Sequence, residues 1–191
     1  MRCPQKLEII KKAGFEVDSR NDGFIAVCFI DHEQGLSFYV IAAAHIRGQT
    51  VFVSKENKSS CLILKAEALS DCLYLNQNYL TVDFTRWEDY VREIMKKYED
   101  DFQEAVSIRD IMELDDFRKP FFPDDIEVLL IGKDFGQERV MVRAEKYGEN
   151  CLFGILLDEP SSAGTGLSKG DQIDFMLVDR EGKYSTVHVC K

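Results

Sequence analysis

Long apolar runs are missing from this chain. The longest, residues 38–44, is strand-sized, far short of the ~18 apolar residues a membrane-spanning helix needs. The opening residues Met1-Arg2-Cys3-Pro4-Gln5-Lys6 lead straight into an amphipathic pattern, without the apolar core of a secretory leader. The expectation is a soluble, cytoplasmic protein.

 Histidine is scarce at three residues, His32, His45 and His188, and none has a partner at a catalytic or metal-binding spacing. The chain has no Gly-x-Ser-x-Gly elbow, no Walker loop and no dinucleotide fingerprint. No cofactor and no metal site are therefore expected. Basic residues are also in deficit, 24 against 34 acidic, which disfavours nucleic acid as a partner because phosphate binding needs a contiguous basic face.

What is present is ample apolar residue, 45% of 191, enough to build one large domain or two small ones. The charge is uneven. Residues 1–82 carry nine basic and nine acidic groups, 83–125 carry seven and fourteen, and 126–191 carry eight and eleven. An acidic middle segment suits a basic protein partner, with Glu88, Asp89, Glu93 and Asp100 as candidate contacts. The six cysteines, Cys3, Cys28, Cys61, Cys72, Cys151 and Cys190, have no metal-knuckle spacing, and several lie within apolar runs. They read as buried, reduced thiols acting as small hydrophobes.

Periodicity predicts an α+β fold: an N-terminal antiparallel sheet with helices, and a C-terminal small β-barrel or β-roll. Pro4 opens a short helix over 4–12, and Gly14 follows as its C-terminal cap. Short strands over 24–30, 36–44 and 50–54 alternate with turn residues, as in a meander. Further strands are expected at 61–65, 72–75 and 79–84. Thr85 and Glu88 have capping-box spacing, and Trp87, Val91, Ile94, Tyr98 and Phe102 form one helical stripe. A second helix is expected over 107–114, and a linker over 115–125, where two prolines break the pattern. Five strands follow, at 126–131, 139–144, 151–157, 172–178 and 184–189. The expected organisation is an α+β domain over 1–82, an acidic helical segment over 83–118 packing on it, and a β-rich module over 119–191.

Three blocks in that module stand out. They are Glu138-Arg139-Val140-Met141-Val142, then Gly154-Ile155-Leu156-Leu157-Asp158-Glu159-Pro160, then Gly166-Leu167 followed by Gly170-Asp171 and Ile173. In the third, Gly170 suits a left-handed turn that the Asp171 side chain stabilises. The blocks resemble the uncharacterised bacterial YegJ-type domain of unknown function over roughly 126–178, with Met141 at that family's Trp position and Asp179-Arg180 in place of its acidic-Trp ending. The resemblance implies a small β-rich module with no assigned catalytic residues.

The leading functional expectation is a non-catalytic protein-interaction module, in one version an immunity-like protein that masks a basic partner. A small-ligand sensor is the alternative, with Tyr147, Asp158, Glu159 and Asp171 marking a ligand or loop site and Phe153 nearby. A third reading is a hydrolase using Asp158, Glu159 and His188.

Overall fold

The computed structural model describes every residue except 58, 76–79, 81, 99–102 and 191. It is mixed α+β and divides into two compact units, Met1–Tyr98 and Glu99–Lys191. The division falls inside the stretch expected to act as one helical segment.

The first unit is built around one long strand, β2 (Gly35–Arg47). On one side it pairs antiparallel with β1 (Gly23–Asp31). On the other it pairs with β3 (Thr50–Val53) at one end and β4 (Ile63–Lys65) at the other. The β1–β2 turn is set by Asp31, whose Oδ1 accepts the backbone N–H groups of Glu33 (3.0 Å) and Gln34 (2.8 Å). Both faces of the sheet are covered. Phe24, Phe38 and Val40 pack with Ile10 of α1 (Leu7–Lys12). Val27, Phe29 and Ile41 pack with Trp87 and with Ile94 of α2 (Glu88–Tyr98). Val40 and Ile41 are neighbours in sequence but serve opposite cores, as the twofold period of a strand requires.

The entry to α2 differs from the expected capping box. Thr85–Trp87 form a 3-10 turn. Asp83 is the acceptor there, taking the Thr85 backbone N–H at 3.0 Å and its hydroxyl at 2.6 Å. The strand expected at 72–75 is reduced to a single bridge between Arg2 and Leu73. Leu80 and 82–84 lie outside any strand, and the rest of the strand expected at 79–84 falls on residues not described. Cys3 and Cys72 form a disulfide, which corrects the expectation of six reduced thiols. Cys28 and Cys61 are exposed rather than buried.

In the second unit α3 (Gln103–Arg109) and a 3-10 segment, Met112–Phe117, precede β5 (Arg118–Lys119), β6 (Phe122–Gly132), β7 (Gly136–Tyr147), β8 (Leu152–Leu156), β9 (Gln172–Arg180) and β10 (Lys183–Val189). Strands β6 to β10 pair antiparallel in sequence order, and β10 also pairs parallel with β6, Val187 opposite Leu129. Alternate residues point inward: Ile126, Val128 and Leu130 from β6, Val140, Val142 and Ala144 from β7, and Ile173 and Phe175 from β9. On β8 the inward positions are Leu152, Gly154 and Leu156. A Cβ at Gly154 would lie 2.3 Å from the Arg143 carbonyl oxygen, so the β7 backbone leaves room only for glycine. Glu181 (φ 58°) and Gly182 (φ 80°) turn β9 into β10, the two-residue left-handed connection that matches strand twist.

The stretch expected to be a linker, 115–125, is instead structured. Pro123 sits near the start of β6, where a missing N–H is tolerated. Asp124 and Asp125 are 4% and 2% exposed, and as neighbours on a strand they point to opposite faces. Asp124 takes a two-pronged pair from Arg109 (2.8 and 2.7 Å). Asp125 pairs with Arg143 at 2.9 Å, the residue directly opposite it on β7. Arg118 caps the end of α3, donating to the Ile108 carbonyl at 2.9 Å and the Ile111 carbonyl at 3.2 Å.

Candidate functional site: an apolar cavity beside β1

The outer edge of β1 is paired only at its start among the described residues. The Phe24 N–H donates to the Met1 carbonyl at 2.9 Å, and Arg2 bridges Gly23. Further along, the side chains of β1 and its neighbours line a cavity of about 480 Å³. Its strand wall includes Ile25, Val27, Ile41 and Ala44, and its far wall includes Tyr74, Leu75, Val82 and Phe84. Trp87 and Val91 close it from the helical side. Trp87 is fully buried and fixed by a 2.9 Å hydrogen bond from Nε1 to Glu56. Val91, one turn on, is 41% exposed. The stripe that α2 presents is thus partly core and partly cavity rim.

The titrating groups in these walls favour their neutral forms. Burial among apolar side chains pushes the Cys28 thiol above its ordinary range, although the side chain reaches solvent at the rim. Burial also raises Tyr74, with nearby Cys28 as the lesser cause. A thiol held protonated is a poor nucleophile, so these walls suit binding better than thiol chemistry. Asp22 and the Met1 ammonium also line the cavity, and burial lowers the pKa of the latter below its ordinary value. Asp22 Oδ2 pairs with Arg2 Nε at 2.8 Å.

The residues singled out from the sequence fall elsewhere. Glu88, Asp89 and Glu93 are exposed on α2, whose Arg92, Lys96 and Lys97 match them in number. Arg92 lies 3.6 Å from Asp89. Asp89 and Glu93 also border a second cavity, of about 470 Å³, with Tyr39, Tyr90, Lys97 and Tyr98. Asp100 lies outside the described residues. Two further acidic residues of the middle segment, Asp124 and Asp125, are turned inward and paired.

In the second unit the structure brings Asp158, Glu159 and Asp171 to one loop, where each accepts a backbone N–H: Met141 at 2.8 Å, Lys169 at 2.9 Å and Ser168 at 2.8 Å respectively. Glu138 joins them, accepting the Ser161 N–H (2.6 Å), the Ser161 hydroxyl (2.7 Å) and the Ser162 N–H (3.1 Å). Those bonds pull its carboxyl down to about 2. The three sequence blocks therefore meet as a loop-holding network. Gly170 has φ 94°, the left-handed turn its sequence suggested. Tyr147 is exposed at the other end of the β7–β8 ladder, opposite Leu152. His188 meets Asp174, 3.5 Å from its carboxylate. No group of three metal-capable side chains occurs among the described residues, and no described helix is long and apolar enough to cross a membrane.

The cavity went unread in the sequence because its walls come from β1, β2, α2 and the separate residues Tyr74, Leu75, Leu80, Val82 and Phe84, none of which shows more than an ordinary apolar pattern. Compared with known proteins, the chain matches no family model, no curated protein and no solved structure.

Proposed function

We propose that this protein is a binding protein whose first unit takes up a small apolar ligand beside β1. The cavity carries this reading. Its volume of about 480 Å³ falls within the ~300–1,000 Å³ of small-molecule sites. Its walls are mostly apolar, and Cys28 and Tyr74 stay uncharged at neutral pH. The second unit supplies a rigid companion module, in which β6 to β10 close as a small barrel of YegJ type. The return pairing from β10 to β6 supports that closure, and the loop network gives the resembling blocks a structural purpose.

A neutral, polarity-sensitive naphthalene fluorophore tests the binding reading. The expected result is saturable one-to-one binding with a blue-shifted emission, weakened at least tenfold in Val91→Glu while circular dichroism stays unchanged. Absence of saturable binding, or equal binding by Val91→Glu and by the cavity-filling Ala26→Val, would overturn it.

A further inference from the structure

The second cavity of the first unit joins aromatic rings to charges of both signs. Tyr90, Glu93, Ile94, Lys97 and Tyr98 recur along α2 at steps of three and one, so one helical face supplies them. Tyr39 of β2 joins them, as does Cys61, which shortly precedes β4, where Ile63 pairs with Tyr39. The Tyr39 and Tyr90 rings are tilted by 47° with their centroids 6.3 Å apart. Burial raises both phenols above their ordinary value, and Glu93 is a lesser cause in each case, so its carboxylate is felt at both rings. Tyr98 lies against Phe29 at 4.3 Å, and the Lys97 ammonium stands 5.1 Å from the Tyr98 centroid. One end of the space thus sets an acid beside two tyrosines, and the other sets a base beside a third. Its volume of about 470 Å³ is that of a small-molecule site.

The charged residues bordering this space are Arg86, Asp89, Glu93 and Lys97, all exposed. Arg86 is matched by Glu56, its Nε donating to Oε1 at 3.1 Å, and Asp89 lies 3.6 Å from Arg92. Glu93 and Lys97 remain, neither matched by a salt bridge among the described residues. A ligand carrying only one sign of charge would unbalance this set, whereas a zwitterion leaves it balanced. We infer that this cavity binds a small zwitterion with a methylated ammonium group, the ammonium held between Tyr39, Tyr90 and Glu93 and the carboxylate held at Lys97. An unmethylated ammonium carries three N–H donors, which aromatic rings satisfy poorly once water is lost. Methyl groups replace those donors with apolar surface and leave the positive charge to the ring faces. The apolar ligand proposed beside β1 would occupy a different space, since the two cavities share no lining residue.

Glycine betaine and its carbon isostere 3,3-dimethylbutanoate share a shape and a carboxylate and differ in the positive charge. Choline keeps the methylated ammonium and lacks the carboxylate. In titration calorimetry of the full-length protein, betaine should bind about tenfold tighter than the isostere and about fivefold tighter than choline. Lys97→Met should weaken betaine about threefold yet tighten choline, because it removes a partner from the first and a like charge from the second. Glu93→Gln should weaken both cations and leave the isostere no weaker. Betaine should also slow the alkylation of Cys61 by iodoacetamide, read by peptide mass spectrometry, without slowing that of Cys28 beside the other cavity. That arm needs no variant. Equal binding of betaine and its isostere, choline matching betaine, or a Lys97→Met change of the same sign for both would each overturn the assignment. So would the lack of betaine binding at millimolar concentration, or binding that leaves Cys61 unprotected. None of these outcomes touches the apolar cavity, whose fluorophore is measured separately.

Discussion

The two units spend their apolar residues differently. In the second, β6 to β10 each have a strand partner on both sides, and one continuous core takes nearly all the inward side chains. In the first, β1 has a strand partner on one side only among the described residues, and Val27, Ile41 and Trp87, which pack together in a core, also border a cavity. Satisfied edges leave little surface for anything else to use. An unsatisfied edge next to unfilled apolar space is where a ligand can gain what the chain itself left ungained. Comparison of the units therefore separates side chains that hold the fold from side chains available for binding.

The largest expected effect breaks the second unit. Asp124→Ala removes a buried carboxylate and strands the Arg109 guanidinium, whose side chain is only 10% exposed. A loss of about 3–5 kcal/mol is expected, read as a lowered midpoint in urea denaturation, with the cavity-bound fluorophore of the first unit retained. A loss under about 1 kcal/mol would mean that Arg109 finds water or another acceptor.

A smaller and more discriminating effect comes from adding methyl groups on each side of the comparison. Gly154→Ala forces a Cβ against the backbone of β7 and should cost about 1–3 kcal/mol. Ala26→Val adds bulk beside unfilled space and should be neutral or stabilising by about 0.5–1 kcal/mol, with weaker fluorophore binding. Thermal melts of both variants check this pair. Equal destabilisation would show that the space beside β1 does not tolerate added volume.

The smallest effect is a pH dependence confined to the 158–171 loop. Glu138 has its carboxyl depressed to about 2 from an ordinary 4.5 by the Ser161 and Ser162 donors. Its contribution is therefore complete above about pH 4.5 and is lost as pH falls towards 2. Amide resonances of Ser161 and Ser162 should hold steady at neutral pH and shift within that acid window, and Glu138→Gln should abolish the shift.

Much of this architecture was legible from periodicity. Strands β6 to β10 show as short apolar runs bounded by turn residues, and α2 shows its stripe from Trp87 to Tyr98, because such patterns reflect local backbone geometry. Partnership across long separations was not legible. Asp124 and Asp125 looked like linker residues beside prolines, since their partners lie 15 residues before and 18 after. Val91 looked like core, because an apolar stripe records that a side chain is apolar and not whether anything packs against it.

The Cys3–Cys72 bond has a consequence for how the first unit responds to proteases. It encloses everything from Pro4 to Asp71 in one covalent ring. A single cut within that ring, for instance in the irregular stretch around Lys55 or Asn57, opens it without dividing the molecule. The nicked chain would run as one species under non-reducing conditions and separate into two fragments only once the bond is reduced.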